Sequence, residues 1–229
     1  MTKTRDPSPG ETPAPRSTRR PRPYDVTLRQ RKQAELRARI AEAATVVHAR
    51  KGALATSYAD IAAEAGVSVP TVYAHYPTLD ALLEGCTGHV IARAPAMPVD
   101  AILSADSLEE AASRLADAME RQHLHLEPWA TWREDRVLPV LAALAARRRE
   151  QVAALAAQVL RKHLGPGSHR EAAAAWDTAL SFDAWHRLAR GHALTRRATR
   201  RTILQWLLAA IPPRPSSPKT ARTTARSTP

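Results

Sequence analysis

The sequence predicts an all-α fold of about nine helices: a small N-terminal three-helix domain, then a larger helical domain. Three observations predict it. Ala, Leu, Arg and Glu, all strong helix formers, dominate residues 26–211. Apolar residues there recur at helical spacing, and no run alternates as a strand does. Most of the eight glycines stand where a helix should stop. With 229 residues, 44% of them hydrophobic, the chain can build a sizeable core.

The first helix is predicted from about Thr27 to Lys51. Ile40, Ala43, Ala44 and Val47 fall at i, i+3, i+4 and i+7, one helical face. Lys51 and Gly52 end it, a cation at the negative pole and a left-handed stop. Thr56 or Ser57 caps a short second helix with Asp60 in its first turn, and Gly66 ends it. Ser68 caps a third helix, Val69 to Tyr76, with Pro70 in the first turn, where its missing N–H costs nothing. Thr78 caps a fourth, carrying Leu79, Leu82, Leu83, Cys86 and Val90. Ser107 with Glu110 has capping-box spacing and opens a fifth. A short sixth is expected near Glu127–Asp135. A long seventh runs from Val137 to Leu164 and stops at Gly165-Pro166-Gly167. An eighth covers His169–Arg190, ended by Gly191. A ninth covers Thr195–Ile211, ended by Pro212-Pro213.

The ends read differently. Eleven of the 18 prolines lie in residues 1–25 and 212–229, among Thr, Ser and Arg. Such segments bury too little apolar surface to order a chain, so both are expected to be disordered. They carry +3 and +4 of the +12 net charge, so the basicity belongs in large part to the tails. A basic tail serves solubility or tracks nucleic acid, and charge alone leaves both readings open. A single cysteine, Cys86, excludes an internal disulfide and with it a disulfide-stapled scaffold. No run is apolar enough to span a membrane, and no apolar stretch follows the N-terminal charges, so a cytoplasmic protein is expected.

Residues 56–76 read helix, tight glycine turn, helix. Ala62 is small enough for the helices to approach, Gly66 supplies the turn, Val67 fills the gap, and Ile61 and Val72 bury the crossing. The third helix then offers Val69, Pro70, Thr71, Tyr73 and His75 without one carboxylate. A helix entering the negatively charged groove of DNA excludes Asp and Glu.

Arg39-Ile-Ala-Glu-Ala-Ala, Gly52, Asp60-Ile-Ala, Ala65-Gly-Val-Ser, Thr71-Val-Tyr-Ala-His-Tyr76 and Leu82-Leu83 together resemble the N-terminal domain of the TetR family of bacterial transcriptional repressors. The resemblance covers about a fifth of the chain. It implies a DNA-reading domain at 26–77 and a ligand-binding and dimerisation domain at 78–211. It further implies that Thr56, Ser57, Ser68, Tyr73, His75 and Thr78 meet phosphates, while Val69, Pro70 and Thr71 face base edges. Tyr76 is assigned to the core. Arg16, Arg19, Arg20 and Arg22 are assigned to a minor-groove arm, as in some family members. Two positions depart from the family pattern. Leu79 stands where a phosphate-binding Lys is usual, and Val69 where a polar base reader is frequent.

The same resemblance implies a homodimer on a two-half-site operator, assembled through Trp176, Leu180, Trp185, Leu188, Leu204, Leu207 and Leu208 of the last two helices. It implies an effector pocket around Met119, His123, Trp129, Trp132 and Arg133, with His125 close by; ordinary core packing is the other reading of that cluster. Effector binding is expected to hold the sixth helix so that it pushes the fourth and changes the spacing of the reading heads. His123-x-His125 with Glu127 lacks a fourth metal ligand and does not share one helical face, so no metal or cofactor is expected. No phosphate loop or nucleophile elbow is present, so no enzyme is expected. The function read is a ligand-released dimeric repressor. A ligand-independent activator, an architectural DNA-binding protein and a helical binder that has lost DNA contact stand as the alternatives.

Overall fold

The computed structural model describes residues 26–211. The arm expected at 1–25, with Arg16, Arg19, Arg20 and Arg22, and the tail expected at 212–229 lie outside the described residues. Among the described residues the chain is all helical. In order run α1 (Val26–Lys51), α2 (Tyr58–Ala65), α3 (Val69–His75), α4 (Leu79–Ala92), α5 (Val99–Leu103), α6 (Leu108–Ala130), a 3-10 turn (Glu134–Arg136), α7 (Pro139–Leu164), α8 (Arg170–Ala179), α9 (Phe182–His186), a π-turn (Arg187–Gly191) and α10 (Arg196–Ala209).

Contacts divide the chain into two units, Met1–Leu36 and Arg37–Pro229. The described part of the first is the opening of α1, whose side chains from 27 to 35 are exposed. The second contains every other element.

Local chemistry sets the helix ends. Ser57 caps α2: its Oγ accepts from Asp60 N, and the Asp60 carboxylate accepts from Ser57 N in return. Ser57, not Thr56, is therefore the cap, because the Thr56 hydroxyl donates to Gly52 O at 2.5 Å. Gly66 stops α2 at φ 64°, a backbone conformation that costs glycine least. Ser68 and Thr78 cap α3 and α4 through the amides of Thr71 and Ala81. Ser107 caps α6 through Glu110 N. The Glu110 carboxylate reaches Asp106 N, one residue short of a full capping box.

Three segments differ from the sequence expectation. No separate sixth helix forms at Glu127–Asp135. Residues 127–130 complete α6 and only a 3-10 turn follows, because Pro128 lacks an N–H and α6 stops two residues after it. The expected His169–Arg190 helix is broken at Leu180–Ser181. Ser181 adopts extended φ and ψ, donates its hydroxyl to Thr178 O at 2.7 Å and caps α9 instead. A short helix not expected, α5, fills the segment after Pro98.

The main core gathers α5 to α10 around Ile102, Leu115, Leu160, Trp176, Trp185 and Leu207. The Trp176 indole N–H donates to Leu207 O at 2.9 Å, so its burial leaves no donor unmet. Arg196 reaches buried Glu120 at 2.9 Å, and Arg200 pairs with Asp117, joining α10 to α6.

Trp176, Leu180, Trp185, Leu188 and Leu207 are all buried within the single chain. The helices carrying them pack on α6 and α7. Leu204 and Leu208 are half-buried, and Trp206, not singled out from sequence, is exposed.

Candidate functional site

Helices α2 and α3 meet across the Gly66 turn. Ile61 and Val72 are buried at the crossing, and Ala62 is buried beside them. Tyr76, fully buried, closes this unit from below. Its hydroxyl donates to Arg37 O at 3.1 Å, and its carbonyl accepts from the Tyr58 hydroxyl at 3.0 Å. Arg37 lies 4.4 Å over the Tyr76 ring and donates to His75 O at 2.8 Å, which ties the end of α3 to α1. Sequence reasoning missed Arg37, since only the fold brings it 38 residues along the chain to its acceptor.

The outer face of α3 is as the sequence pattern requires. Ser68, Pro70 and Tyr73 are exposed; Val69, Thr71 and His75 are half-buried. The Tyr73 ring packs on Tyr58 at 4.3 Å between centroids, which fixes its direction. The hydroxyls of Ser68 and Thr71 share a 2.8 Å hydrogen bond. Thr78 is exposed, with its Oγ1 capping α4, and Leu79 beside it is exposed too. The Thr56 hydroxyl donates to Gly52 O. The Ser57 hydroxyl is likewise committed, donating to Asp60 at 2.6 Å. The acids nearest this face are neutralised. Lys51 pairs with Asp60 at 2.7 Å, and Arg50 pairs with Glu64. Hydrogen bonds from Lys51 and Ser57 hold the Asp60 carboxyl well below the usual carboxylate range.

A cavity of about 340 Å³ opens between α1, α4, α6, α7 and α8. All five expected pocket residues, Met119, His123, Trp129, Trp132 and Arg133, line it. Leu83, Val90, Leu144 and Val152 make much of the wall apolar. His123 is buried and its Nε2 donates to Leu180 O at 2.9 Å. Burial, aided by the nearby Arg148 charge, lowers its pKa to about 4, so the ring is neutral at pH 7. Cys86, also in the wall, sits 3.6 Å from His48 Nδ1, and burial pushes its thiol up to about 11. Sequence reading missed Arg148, His48 and Glu134, which lie on separate segments and converge only in the fold.

The cavity wall is bonded directly to α1, to the loop after it and to α4. Trp129 Nε1 donates to Thr45 O at 2.8 Å, and Trp132 Nε1 to Ala49 O at 3.4 Å, both on α1. The Glu134 carboxylate accepts from Ala53 N and Leu54 N at 2.8 Å each, in the loop between α1 and α2. His125 Nε2 donates to Val90 O at 2.9 Å on α4. His123 and His125 thus spend one nitrogen each on different carbonyls. Among the described residues, no group of three or more His, Cys, Asp or Glu is placed to hold a metal. Nor is any helix there long and apolar enough to cross a membrane.

Residues 40–86 match the family model of bacterial regulatory proteins, tetR family. The match covers the later part of α1, all of α2 and α3, and the first part of α4. The match supports DNA-binding transcriptional regulation through this segment. No curated protein sequence matches it. The solved structures similar to this chain include three whose likeness establishes the fold. The multidrug binding protein EbrR, crystallised with imidazole, is 24% identical, with a TM-score of 0.53 over 89% of this chain and 100% of its own. A transcriptional regulator from Rhodococcus sp. Rha1 is 19% identical, with 0.53 over 76% and 95%. A protein of Pseudomonas aeruginosa PAO1 described as a transcriptional regulator is 20% identical, with 0.57 over 79% and 90%.

Proposed function

We propose that this chain is a tetR-family regulator, a homodimeric repressor that a small molecule releases from an operator of two half-sites. One observation carries the reading. The segment forming the cavity wall, Trp129 to Glu134, is the segment that grips the end of α1 and the loop leading to α2. A molecule that fills the cavity and moves this wall shifts the reading helix with it. The work available is only the difference in the molecule's affinity for the two arrangements. The likeness to EbrR, a multidrug binding protein, is in keeping with a small-molecule effector.

In this reading, residues 26–77 read DNA and 78–211 hold the effector and the partner copy. Ser68, Tyr73, His75 and Thr78 set register on phosphates, and Val69, Pro70 and Thr71 face bases. Ser57 contributes through its helix N-terminus rather than its committed hydroxyl. The arm with Arg16, Arg19, Arg20 and Arg22 adds phosphate and minor-groove contacts. The dimer forms over the exposed side of α8 and α10, where Trp206, Leu204 and Leu208 remain uncovered or half-covered.

The test is a titration of the full chain on the DNA upstream of its own gene, with sedimentation of the complex. Two chains per duplex, with affinity falling steeply as salt rises, is the expected result. No binding beyond that to random DNA, or one chain per duplex, overturns the reading.

A further inference from the structure

We propose that the cavity takes an effector whose apolar body ends in one oxyanion, a carboxylate or its equivalent, seated on Arg148. The inference rests on the effector reading above and narrows it to a chemical class.

The arginines of the cavity wall, Arg133, Arg148 and Arg149, are not equivalent, and Arg149 is exposed. Arg133 is neutralised by an ion pair with Asp183, which also stands 3.8 Å from Arg136. Arg148, on α7, is half-buried, and among the described residues its hydrogen bond goes to a neutral acceptor, the amide oxygen of Gln122. Gln122 is itself buried and anchored, its Nε2 donating to Pro95 O at 2.7 Å. The guanidinium fork is therefore held in a set orientation without being neutralised. Burial holds it below its ordinary range, and no carboxylate acts in the other direction.

The acids of the wall do not supply the missing charge. Asp183 is committed to Arg133, and Glu134 to the amides of Ala53 and Leu54. Asp135 and Asp177 line the cavity but form no ion pair with Arg148. A planar fork with several N–H donors unfilled in an apolar chamber matches the geometry of a carboxylate. The surrounding Leu144, Val152 and Phe182 side chains suit an alkyl or aryl body.

Three probes with one tail and three heads test this: octanoate, octanol and octylammonium. Each is titrated calorimetrically into the full chain at neutral pH, in native, Arg148→Gln and Arg148→Lys forms, with thermal melts to verify folding. Octanoate is expected to bind at least about tenfold more tightly than octanol, as a charge-assisted hydrogen-bonded pair would give. Arg148→Gln should bring octanoate affinity down to that of octanol in the same variant, and Arg148→Lys should retain part of the preference. Preference for octylammonium, or an octanoate preference that survives Arg148→Gln, overturns the oxyanion seat and leaves the cavity reading standing. Binding of none of the three overturns the effector cavity itself, and this inference with it.

Discussion

The contact between Glu134 and the loop after α1 can be tested at single-atom scale. Ala53 is buried, and its N–H has the Glu134 carboxylate as acceptor at 2.8 Å. Leu54 is exposed, and its N–H uses the other carboxylate oxygen at 2.8 Å. Glu134→Ala removes both acceptors. Water can replace the one at Leu54 but not readily the one at Ala53. The cost is therefore dominated by one buried unsatisfied amide, about 1–3 kcal/mol. Glu134→Gln keeps one acceptor oxygen and places an NH2 against the second donor, so it should cost less than Ala without restoring stability. Urea unfolding gives the magnitude. Hydrogen exchange gives the location: Ala53 protection should fall, while core amides of α6 away from the contact keep theirs. In a titration with DNA and effector, the same variant should bind DNA yet respond less to effector, because one link between cavity and reading domain is cut. Unchanged Ala53 protection together with an unchanged unfolding midpoint would refute the reasoning.

Three further outcomes follow from the same structure. His123 has its pKa lowered to about 4 from an unfolded value of 6.5, so the unfolded chain binds its proton first. Stability should therefore be full above pH 6.5 and fall by about 3 kcal/mol as pH drops to 4. Urea midpoints across this range should be flatter in His123→Gln by about one proton, and equal slopes would remove His123 from that role. A Cβ at Gly85 would stand 2.5 Å from the buried Tyr76 ring, whereas one at Gly88 meets nothing within 4 Å. Gly88→Ala should stabilise by up to about 1 kcal/mol through helix propensity, while Gly85→Ala should destabilise and weaken DNA binding by displacing Tyr76. Both changes acting alike in thermal melts would contradict that packing. Thr71→Ala should weaken operator binding more than random-DNA binding, and equal loss on both DNAs would take Thr71 out of the base-reading set.

Much of this protein is written locally. The caps Ser57, Ser68, Thr78 and Ser107, the Gly66 turn and the apolar stripe of α1 depend on neighbours within four residues, so the chain itself specifies them. The helix-turn-helix and its carboxylate-free outer face are legible for the same reason, since residues 56–76 form one continuous stretch. The break at Ser181 was a local signal as well, but it competed with a strong apolar period and was masked by it. What only the tertiary structure decided depends on groups far apart in sequence. Whether Trp176 and Trp185 face a partner or their own core turns on which helix covers them, and α6 and α7 do. Arg148 is an unremarkable charge on a long helix until Gln122 orients it and no acid approaches. Glu134 reaches Ala53 and Leu54 across about eighty residues of chain. Periodicity reports which face of a helix is apolar, but not what packs against that face. The cavity and its link to the reading helix belong to that second kind of information.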